Sequence, residues 1–381
     1  MEKLSDDILV EILTRIPATS VTRLKLTNKK WCALISHPLF VKAHGERLRT
    51  DMRAACLKVL KIDRLCFQRT VSASRPQSLS FEVFEGVSVD KAMNSLHDPI
   101  SRFPPIKIQV AGSCDGLICF TQLSCLHHII SLWNPSTKEV RNLPNDPNGP
   151  NLGFSQWLSF GLGIGYDCQT GDYKVVRAVC SRNEQCVKQI VVDVFMLKTN
   201  AWRRIHDNPR GKLSCDSFYL NGAVHWFMRS RTEAEDSCAI VSFDLATEKF
   251  RELPMPETNA NTEFQGIGII DGRLVVYTGY WKWSGIFEGW SMKEYGVKTS
   301  WAKLFSISGE IFPAPAKRVQ VLSLRNGKIL LGLDRNEIVL YDIADGSFQF
   351  LLDIGWSGFR YEFIVYVESF ISPYSGQGTS G

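Results

Sequence analysis

The chain has 381 residues, of which 44% are hydrophobic and 22% are charged. These proportions are typical of a soluble globular protein, and they exclude a wholly disordered chain and a collagen-like fibre. The net charge is +5, and the excess lies in residues 1–60, because the rest of the chain has 33 basic and 33 acidic residues. A large neutral body argues against a nucleic-acid partner.

The cysteines and the apolar segments indicate the compartment. The 11 cysteines are odd in number and form no CxxC pair, so we predict reduced thiols and no disulfide framework. The chain has no acceptor sequence for N-glycosylation and no apolar signal core, and no apolar run approaches the roughly 20 residues of a membrane span. We expect an intracellular protein of the nucleus, the cytoplasm or both, with no membrane partner.

The first 48 residues have helical periodicity. Ser5 is placed to cap a first helix that ends at Pro17, and Thr19 or Ser20 is predicted to cap a second. A third helix follows, and a fourth holds Phe40. A unit of about 45 residues is too small to bury four amphipathic helices by itself, so a partner or a neighbouring domain must cover part of it.

From about residue 105 the period becomes two, as in β-strands. Five turn dipeptides that end in glycine recur every 50 to 55 residues, each followed by a strand: Asp115-Gly116, Thr170-Gly171, Asn221-Gly222, Asp271-Gly272 and Asn326-Gly327. A second hairpin follows each turn, and its closing strand begins with a large apolar residue: Val140, Trp202, Phe250, Trp301 and Phe348.

A repeat of this length with two hairpins has the size of one four-stranded propeller blade of the kelch type. The strand within residues 361–371 lies outside the fifth repeat and is predicted to complete a blade begun by strands between residues 59 and 110, including "IKIQV". The fold class is therefore an all-α unit followed by an all-β propeller of about six blades, with seven as the alternative.

Residues 4–40, "LSDDILVEILTRIPATSVTRLKLTNKKWCALISHPLF", resemble the F-box. The later segments "SCDGLICF", "LWNPSTKEVRNLP", "NGAVHWF" and "FDLATEKFRELPMP" resemble the F-box-associated, kelch-like domain of plant F-box proteins. The family usually has proline where this chain has Ser5, so we expect a modestly weaker partner contact there. We therefore expect an F-box at 1–48, a helical connector at 49–58, a kelch-like propeller at 59–371 and a disordered tail at 372–381.

This resemblance implies the substrate-recognition subunit of an SCF-type E3 ubiquitin ligase. In that family the F-box binds a Skp-type adaptor, and through it a cullin and a RING subunit, while the propeller binds a target protein, here unknown. The chain would supply no catalytic residue and need no cofactor, because it acts by raising the effective concentration of the target. The residues expected to bind the adaptor are Leu4, Ile8, Leu9, Ile12, Leu13, Ile16, Pro17, Leu24, Lys30, Trp31, Leu34 and Ile35.

Three loop-like segments, 144–158, 228–237 and 279–290, are longer or more aromatic than a minimal turn, and propellers usually bind partners through loops on one face. The candidate target-binding residues in them are Trp157, Arg229, Arg231, Trp281 and Trp283. Blade packing is the alternative for Trp281 and Trp283, and a solvated loop is the alternative for the arginines.

Two other motifs are assigned to structure. The three cysteines and two histidines between Cys114 and His128 lack the paired spacing of a zinc site, so we predict no metal. The glycines of "FGLGIGYD" imitate a phosphate loop, but a strand follows them, and close packing near the ring axis explains them better. Two alternative functions remain: an adaptor-bound regulator that causes no degradation, and an enzyme with scattered residues at the propeller mouth.

Overall fold

The structure is a computed structural model, which describes residues 5–16, 18–25, 27–50, 57–63, 77–80, 94–95, 107–123, 128–145, 160–182, 188–209, 211, 213–231, 236–258, 262–278, 285–309, 319–333, 337–352 and 361–375. A helical unit at residues 5–50 precedes a body built of strands. Within these ranges, none of the helices has the length and apolar character needed to cross a membrane.

The helical unit consists of α1 (Asp6–Leu13), α2 (Ala18–Lys25), α3 (Lys29–Ser36) and α4 (Pro38–Thr50). The predicted Ser5 cap is confirmed, since the Ile8 amide donates to Ser5 Oγ at 3.4 Å. The predicted cap of α2 is wrong, because the helix already includes Ala18 and both Thr19 and Ser20 lie in its first turn. Asn28 caps α3 by accepting a hydrogen bond from the Trp31 amide at 2.9 Å.

The strands of the body are β1 (Leu57–Asp63), β2 (Gln77–Ser80), β3 (Asn94–Ser95), β4 (Lys107–Cys114), β5 (Leu117–Leu123), β6 (His128–Asn134), β7 (Glu139–Asn142), β8 (Phe160–Asp167), β9 (Asp172–Arg182), β10 (Lys188–Met196), β11 (Ala201–Ile205), β12 (Leu213–Leu220), β13 (Ala223–Arg231), β14 (Asp236–Asp244), β15 (Lys249–Leu253), β16 (Phe264–Ile270), β17 (Arg273–Thr278), β18 (Ile286–Met292), β19 (Trp301–Ser308), β20 (Val319–Arg325), β21 (Lys328–Leu333), β22 (Glu337–Asp342), β23 (Phe348–Leu352) and β24 (Tyr361–Val367). A short 3₁₀ turn at Lys298–Ser300 precedes β19.

The described strands form six four-stranded sheets, which we number as blades. Blade 1 is β4 to β7, blade 2 is β8 to β11, blade 3 is β12 to β15, blade 4 is β16 to β19 and blade 5 is β20 to β23. Blade 6 has the order β24, β1, β2, β3. The first strands of the blades contact one another around a common axis. The predicted propeller of about six blades is confirmed.

Blade 6 closes the ring by pairing the end of the chain with its beginning. Strand β24 runs antiparallel to β1, with Val59 opposite Val365. The expectation that the last strand completes the first blade is therefore confirmed. The segment "IKIQV" was expected to belong to the same blade, but it lies at the start of blade 1, because the tight turn at Asp115-Gly116 pairs β4 with β5.

Four of the five recurring glycine turns have a left-handed conformation at both central residues, as at Asn221 (φ 52°) and Gly222 (φ 76°). Positive φ at both positions defines the type I′ turn, whose twist matches that of a hairpin. The fifth turn differs, since only Gly171 has positive φ in a four-residue connection between β8 and β9.

Two predicted boundaries need correction. The predicted helical connector at 49–58 does not extend that far as helix, because β1 begins at Leu57 and α4 ends at Thr50. The predicted disordered tail does not begin at Ser372: residues 372–375 form a turn, with the Pro373 carbonyl accepting from Arg141 at 2.9 Å. Residues 51–56 and 376–381 lie outside the described part of the chain.

The glycines of β8 lie where neighbouring side chains leave no room for a Cβ atom. A Cβ at Gly161 would lie 2.8 Å from the Leu213 side chain, and one at Gly163 would lie 2.8 Å from Ser217 Oγ. The prediction of close packing near the axis is confirmed. Because the glycines of β8 have no side chains, β4 and β12 approach each other closely. Ser217 Oγ of β12 donates to the Ala111 carbonyl of β4 at 3.0 Å.

Tryptophans at the start of two closing strands join neighbouring blades. Trp202 Nε1 of blade 2 donates to the Pro144 carbonyl at the end of blade 1, at 2.7 Å. Trp301 Nε1 of blade 4 makes the equivalent bond to the Pro254 carbonyl at the end of blade 3, at 2.9 Å. In these two repeats the large apolar residue therefore also bonds its blade to the preceding one.

Candidate functional site

The helical unit has a small core that includes two of the residues expected to bind a partner. Leu13 and Ile35 are buried, with Ile35 fully so, and they pack with Ala18, Val21 and Phe40. Their side chains hold the helices together and are not available on the surface of the isolated chain. A partner contact by the set as a whole stays a prediction.

Other members of the expected set lie on the surface. Ile8 and Ile12 of α1 are 48% and 45% exposed, and their spacing of four residues puts them on one face of the helix. Large contiguous apolar patches mark interaction surfaces, and these two side chains would contribute to such a patch. Lys30 is exposed, and half-buried side chains are found at Leu9, Ile16, Leu24, Trp31 and Leu34. Leu4 and Pro17 lie outside the described residues.

Leu39, at the start of α4, is 69% exposed and was missed in the sequence. The available signal was its place between Pro38 and Phe40, at the end of the segment that resembles the F-box. Charged contacts hold α4 near α1, since Arg47 lies 3.5 Å from Glu11 Oε1. The hydrogen bond from Arg15 lowers the pKa of Glu11, so this carboxylate stays charged beside both arginines.

Residues 368–375, which follow β24, form a segment that we call the strap. It runs between the helical unit and blade 1. Phe370 of the strap packs edge-on against Phe40 of α4, with ring centroids 5.8 Å apart, and lies 5.1 Å from the His44 ring. Burial lowers the pKa of His44, so its ring faces Phe370 in the neutral form. Lys25 Nζ lies 5.2 Å from the centre of the Phe370 ring.

Blade 1 holds the strap through side-chain hydrogen bonds. Asn134 Nδ2 at the end of β6 donates to the carbonyls of Ser369 and Ile371, at 3.1 and 2.7 Å. The Tyr374 hydroxyl donates to the Val140 carbonyl at 2.8 Å. Val41 of α4 packs against a core cluster that includes residues of blades 1 and 2 and Ile371 of the strap. The helical unit therefore rests on one particular face of the propeller.

We call this face the near face. It contains the turns between the first and second strands, because a Cβ at Gly116 would lie 2.7 Å from the Val367 carbonyl beside the strap. Since the strands of each blade alternate in direction, the connections from second to third strands, and from a fourth strand to the next blade, lie on the opposite, far face. The strand ends that flank the predicted loops 144–158, 228–237 and 279–290 all lie on the far face.

The predicted target-binding residues are largely outside the described part of the chain. Trp157, Trp281 and Trp283 are not among the described residues, and the side chain of Arg231 is not described. Arg229 is half-buried, and its Nη2 donates to the Phe264 carbonyl of blade 4 at 2.9 Å. Arg229 thus joins two blades. A target contact by all five residues stays a prediction.

A central channel of about 640 Å³ runs between the inner strands. Leu48 of α4 contributes to its lining, together with apolar residues of β4, β20 and β24 and the polar side chains of Asp115, Asp271 and Arg325. Asp115 accepts a hydrogen bond from Tyr173 at 2.8 Å. In the described part of the chain, no three His, Cys, Asp or Glu side chains are grouped so as to hold a metal ion.

Comparison with known proteins gives two family matches in order along the chain. The family described as "F-box domain" matches residues 1–42, and the family described as "F-box associated beta propeller domain" matches residues 69–372. An F-box/kelch-repeat protein of Arabidopsis thaliana is 28% identical over 96% of this chain and 95% of its own length. The F-box protein CPR1 of Arabidopsis thaliana is 30% identical over 88% of this chain and 81% of its own.

Among solved structures, the crystal structure of TolB from Acinetobacter baumannii aligns with a TM-score of 0.44 at 10% identity, covering 86% of this chain and 73% of that one.

Proposed function

This chain belongs to the F-box proteins that carry an F-box-associated β-propeller domain, and from that premise we propose that it is the substrate-recognition subunit of an SCF-type ubiquitin ligase. The single observation that carries the proposal is the pairing of an F-box with a large repeat domain in one chain. An F-box implies binding to a Skp-type adaptor, and the adaptor would connect the chain to a cullin and a RING subunit.

The exposed side chains of α1 support the proposal that the helical unit binds a Skp-type adaptor. Ile8 and Ile12 present apolar area that is open to solvent in the isolated chain. Burying each against an adaptor removes a large aliphatic group from water, which is worth about 1.5 to 3 kcal/mol per side chain. The surrounding core residues, such as Leu13, would fix the orientation of the helix without touching the adaptor themselves.

The separation of the two faces of the propeller supports the proposal that the propeller binds a target protein. The helical unit occupies the near face, whereas the loops with the most aromatic sequences begin and end on the far face. A target bound there would be held at a fixed distance from the adaptor. The chain would then act by proximity, because a tethered target reaches a high effective concentration at the ubiquitin-loaded enzyme. We place this activity in the nucleus, the cytoplasm or both.

Adaptor binding is tested with the double variant Ile8→Asp/Ile12→Asp in the full chain. Two charges on the exposed face of α1 should weaken binding to a purified Skp-type adaptor at least about 100-fold in calorimetry, since both apolar contacts are lost. Ile286→Asp is the matched control, because Ile286 is a comparably exposed aliphatic residue on blade 4. A wild-type chain that does not bind the adaptor, or a double variant that binds as wild type, contradicts the proposal.

Target recruitment is tested by proximity labelling in cells with the proteasome blocked. Proteins labelled by both the wild-type chain and the Ile8→Asp/Ile12→Asp variant are candidate targets, because the far face is unchanged in the variant. Their half-lives should shorten only when the wild-type chain is expressed and the proteasome is active. Candidate targets whose half-lives do not change with either chain would indicate a regulator that causes no degradation, and equal shortening with both chains would contradict a role of the adaptor.

A further inference from the structure

The core of the helical unit includes a side chain from the far end of the sequence. Phe370, which is 6% exposed, packs with Leu13, Val21, Ile35 and the ring of Phe40. A unit of about 45 residues has too little apolar surface to form a stable core alone. An aromatic ring is the largest kind of apolar group that a single residue supplies, so Phe370 is a substantial part of this core.

The position of Phe370 is set by the propeller. The residue before it, Ser369, accepts a hydrogen bond at its carbonyl from Asn134 Nδ2, and the residue after it, Ile371, does the same at 2.7 Å. Further along the strap, Arg141 Nη1 donates to the Pro373 carbonyl at 2.9 Å. The strap is thus clamped to blade 1 on both sides of the aromatic ring.

The strap also depends on closure of the ring. It continues directly from β24, whose seven residues pair with β1 to complete blade 6. If β24 is not paired, its last residue, Val367, has no fixed position beside Gly116. Phe370, three residues later, then has no fixed position under the helices. Ring closure, strap and helical core therefore form one chain of contacts.

The contacts reach the surface that is proposed to bind the adaptor. Leu13 lies on the buried side of α1 and packs in the cluster that contains Phe370, whereas Ile8 and Ile12 lie on the exposed side of the same helix. Loss of Phe370 leaves a cavity under the helices, and proteins collapse only partly around such cavities. The orientation of α1 is then no longer fixed.

We propose that the strap makes adaptor binding conditional on a completed propeller, with Phe370 as the positioning residue. This inference rests on the proposed function, because it takes the helical unit to be the adaptor-binding element. As a consequence, only chains with an assembled propeller would bind the adaptor. A chain that stops before the strap, or whose ring is open, has the whole F-box sequence but no fixed adaptor-binding surface, so it is not loaded into a ligase.

The experiment compares full-length Phe370→Ala and Phe370→Leu with Phe348→Ala, in which the lost ring is a partly exposed one on blade 5. Affinity for a purified Skp-type adaptor is measured by calorimetry, and hydrogen exchange is followed by mass spectrometry. Phe370→Ala should weaken binding at least about tenfold and speed exchange in α1 and α3, with the exchange of blades 2 to 5 unchanged. Phe370→Leu should recover most of both, and Phe348→Ala should match wild type.

A second variant acts from the propeller side and leaves the helical unit untouched. Asn134→Asp keeps the oxygen that accepts from the Ser136 amide at 2.8 Å but removes both donors to the strap. Asp244→Asn is its control, because Asp244 accepts from the Thr247 amide at 2.7 Å in the equivalent turn of blade 3, away from the strap. Only Asn134→Asp should weaken adaptor binding.

Three outcomes are distinguishable. If wild type binds and Phe370→Ala and Asn134→Asp bind equally well with unchanged exchange in α1, the strap has no positioning role and the inference is overturned. If wild type does not bind, the proposed function fails, and exchange in α1 alone still reports whether the strap orders the helices. Faster exchange throughout Phe370→Ala would also overturn the inference if Asn134→Asp then bound as wild type.

Discussion

At the scale of single residues, His225 is the titratable group whose burial has the clearest consequence. It lies on β13 and is fully buried. Nδ1 lies 3.2 Å from the Phe218 carbonyl, to which it donates, so Nε2 accepts from the Tyr295 hydroxyl at 2.6 Å. This second bond joins blade 3 to the turn between β18 and β19 of blade 4. Burial lowers the pKa of His225 to about 4.

This pKa predicts acid sensitivity. A histidine in the unfolded chain has a pKa near 6.5, so it is protonated below that pH. In the folded chain His225 stays unprotonated until the pH nears 4. The stability that His225 contributes is complete above pH 6.5 and falls as the pH falls towards 4. Between pH 7 and pH 5, urea unfolding should show wild type losing about 2 kcal/mol more than His225→Gln. The exposed His37→Gln is the control, and equal losses in wild type and His225→Gln would refute the assignment.

The sequence could not indicate this site. A lone histidine in "NGAVHWF" on a predicted strand shows neither which way its ring points nor that Tyr295, 70 residues later, lies against it. Ser5 is the contrasting case. Its capping role depends only on the next few residues, so local pattern was enough to predict it.

At the scale of elements, β8 shows how three glycines determine packing at the axis. A Cβ at Gly163 would lie 2.8 Å from Ser217 Oγ and 2.9 Å from Trp226 Cζ2. Gly268, on the inner strand β16, is a matched position with room, because its Cβ would lie 3.6 Å from the nearest atom. The two inner-strand glycines thus differ in how much space the neighbouring atoms leave for a Cβ atom.

We predict that Gly163→Ala destabilises the propeller by about 1 to 3 kcal/mol, since an added methyl must displace packed side chains. Gly268→Ala should leave the free energy of unfolding unchanged or raise it by about 0.5 kcal/mol, because alanine restricts the unfolded chain more than glycine does. Urea titration of both variants measures the difference. If Gly163→Ala proves as stable as Gly268→Ala, close approach at the axis is not the reason for glycine at position 163.

The strands and their turns could be predicted because each hairpin is local. A dipeptide such as Asn221-Gly222 carries its own conformational preference, and the strands beside it alternate in hydrophobicity. The stitching between blades could not be predicted in the same way. Trp301 was identified only as a large apolar residue, because its hydrogen-bond acceptor, Pro254, lies 47 residues earlier.

At the scale of the whole molecule, the two ends of the chain must meet. We predict that a chain ending at residue 375 unfolds like wild type in calorimetry, because it retains β24 and the strap. A chain ending at residue 360 lacks the inner strand of blade 6 and uncovers Val59 and Leu322, which pack with Phe363. It should lose the single sharp transition of a closed ring. Similar transitions for both chains would show that the other five blades fold without closure.

The architecture could be predicted from sequence, but the strap could not. Two periods, a repeat of about 50 residues and a final strand outside the repeats were enough to predict a helical unit and a closed propeller. Residues 372–375 belong to the last ten residues of the chain, for which the sequence predicts a disordered tail. These residues are held in a defined conformation by contacts with Val140 and Arg141, more than 230 positions away. No local sequence pattern can predict such a contact.

The separation of near and far faces has a consequence for how the sequence of such a chain changes over time. The strap, the Asn134 clamp and α4 all lie on the near face. The connections between second and third strands leave the ring on the far face, away from these joints. We therefore expect insertions or substitutions in these connections to leave ring closure and the packing of the helices unchanged. If the far face binds the target, as proposed, new recognition specificities can be acquired loop by loop, in evolution or by grafting in the laboratory, while the contacts of the helical unit are inherited unchanged.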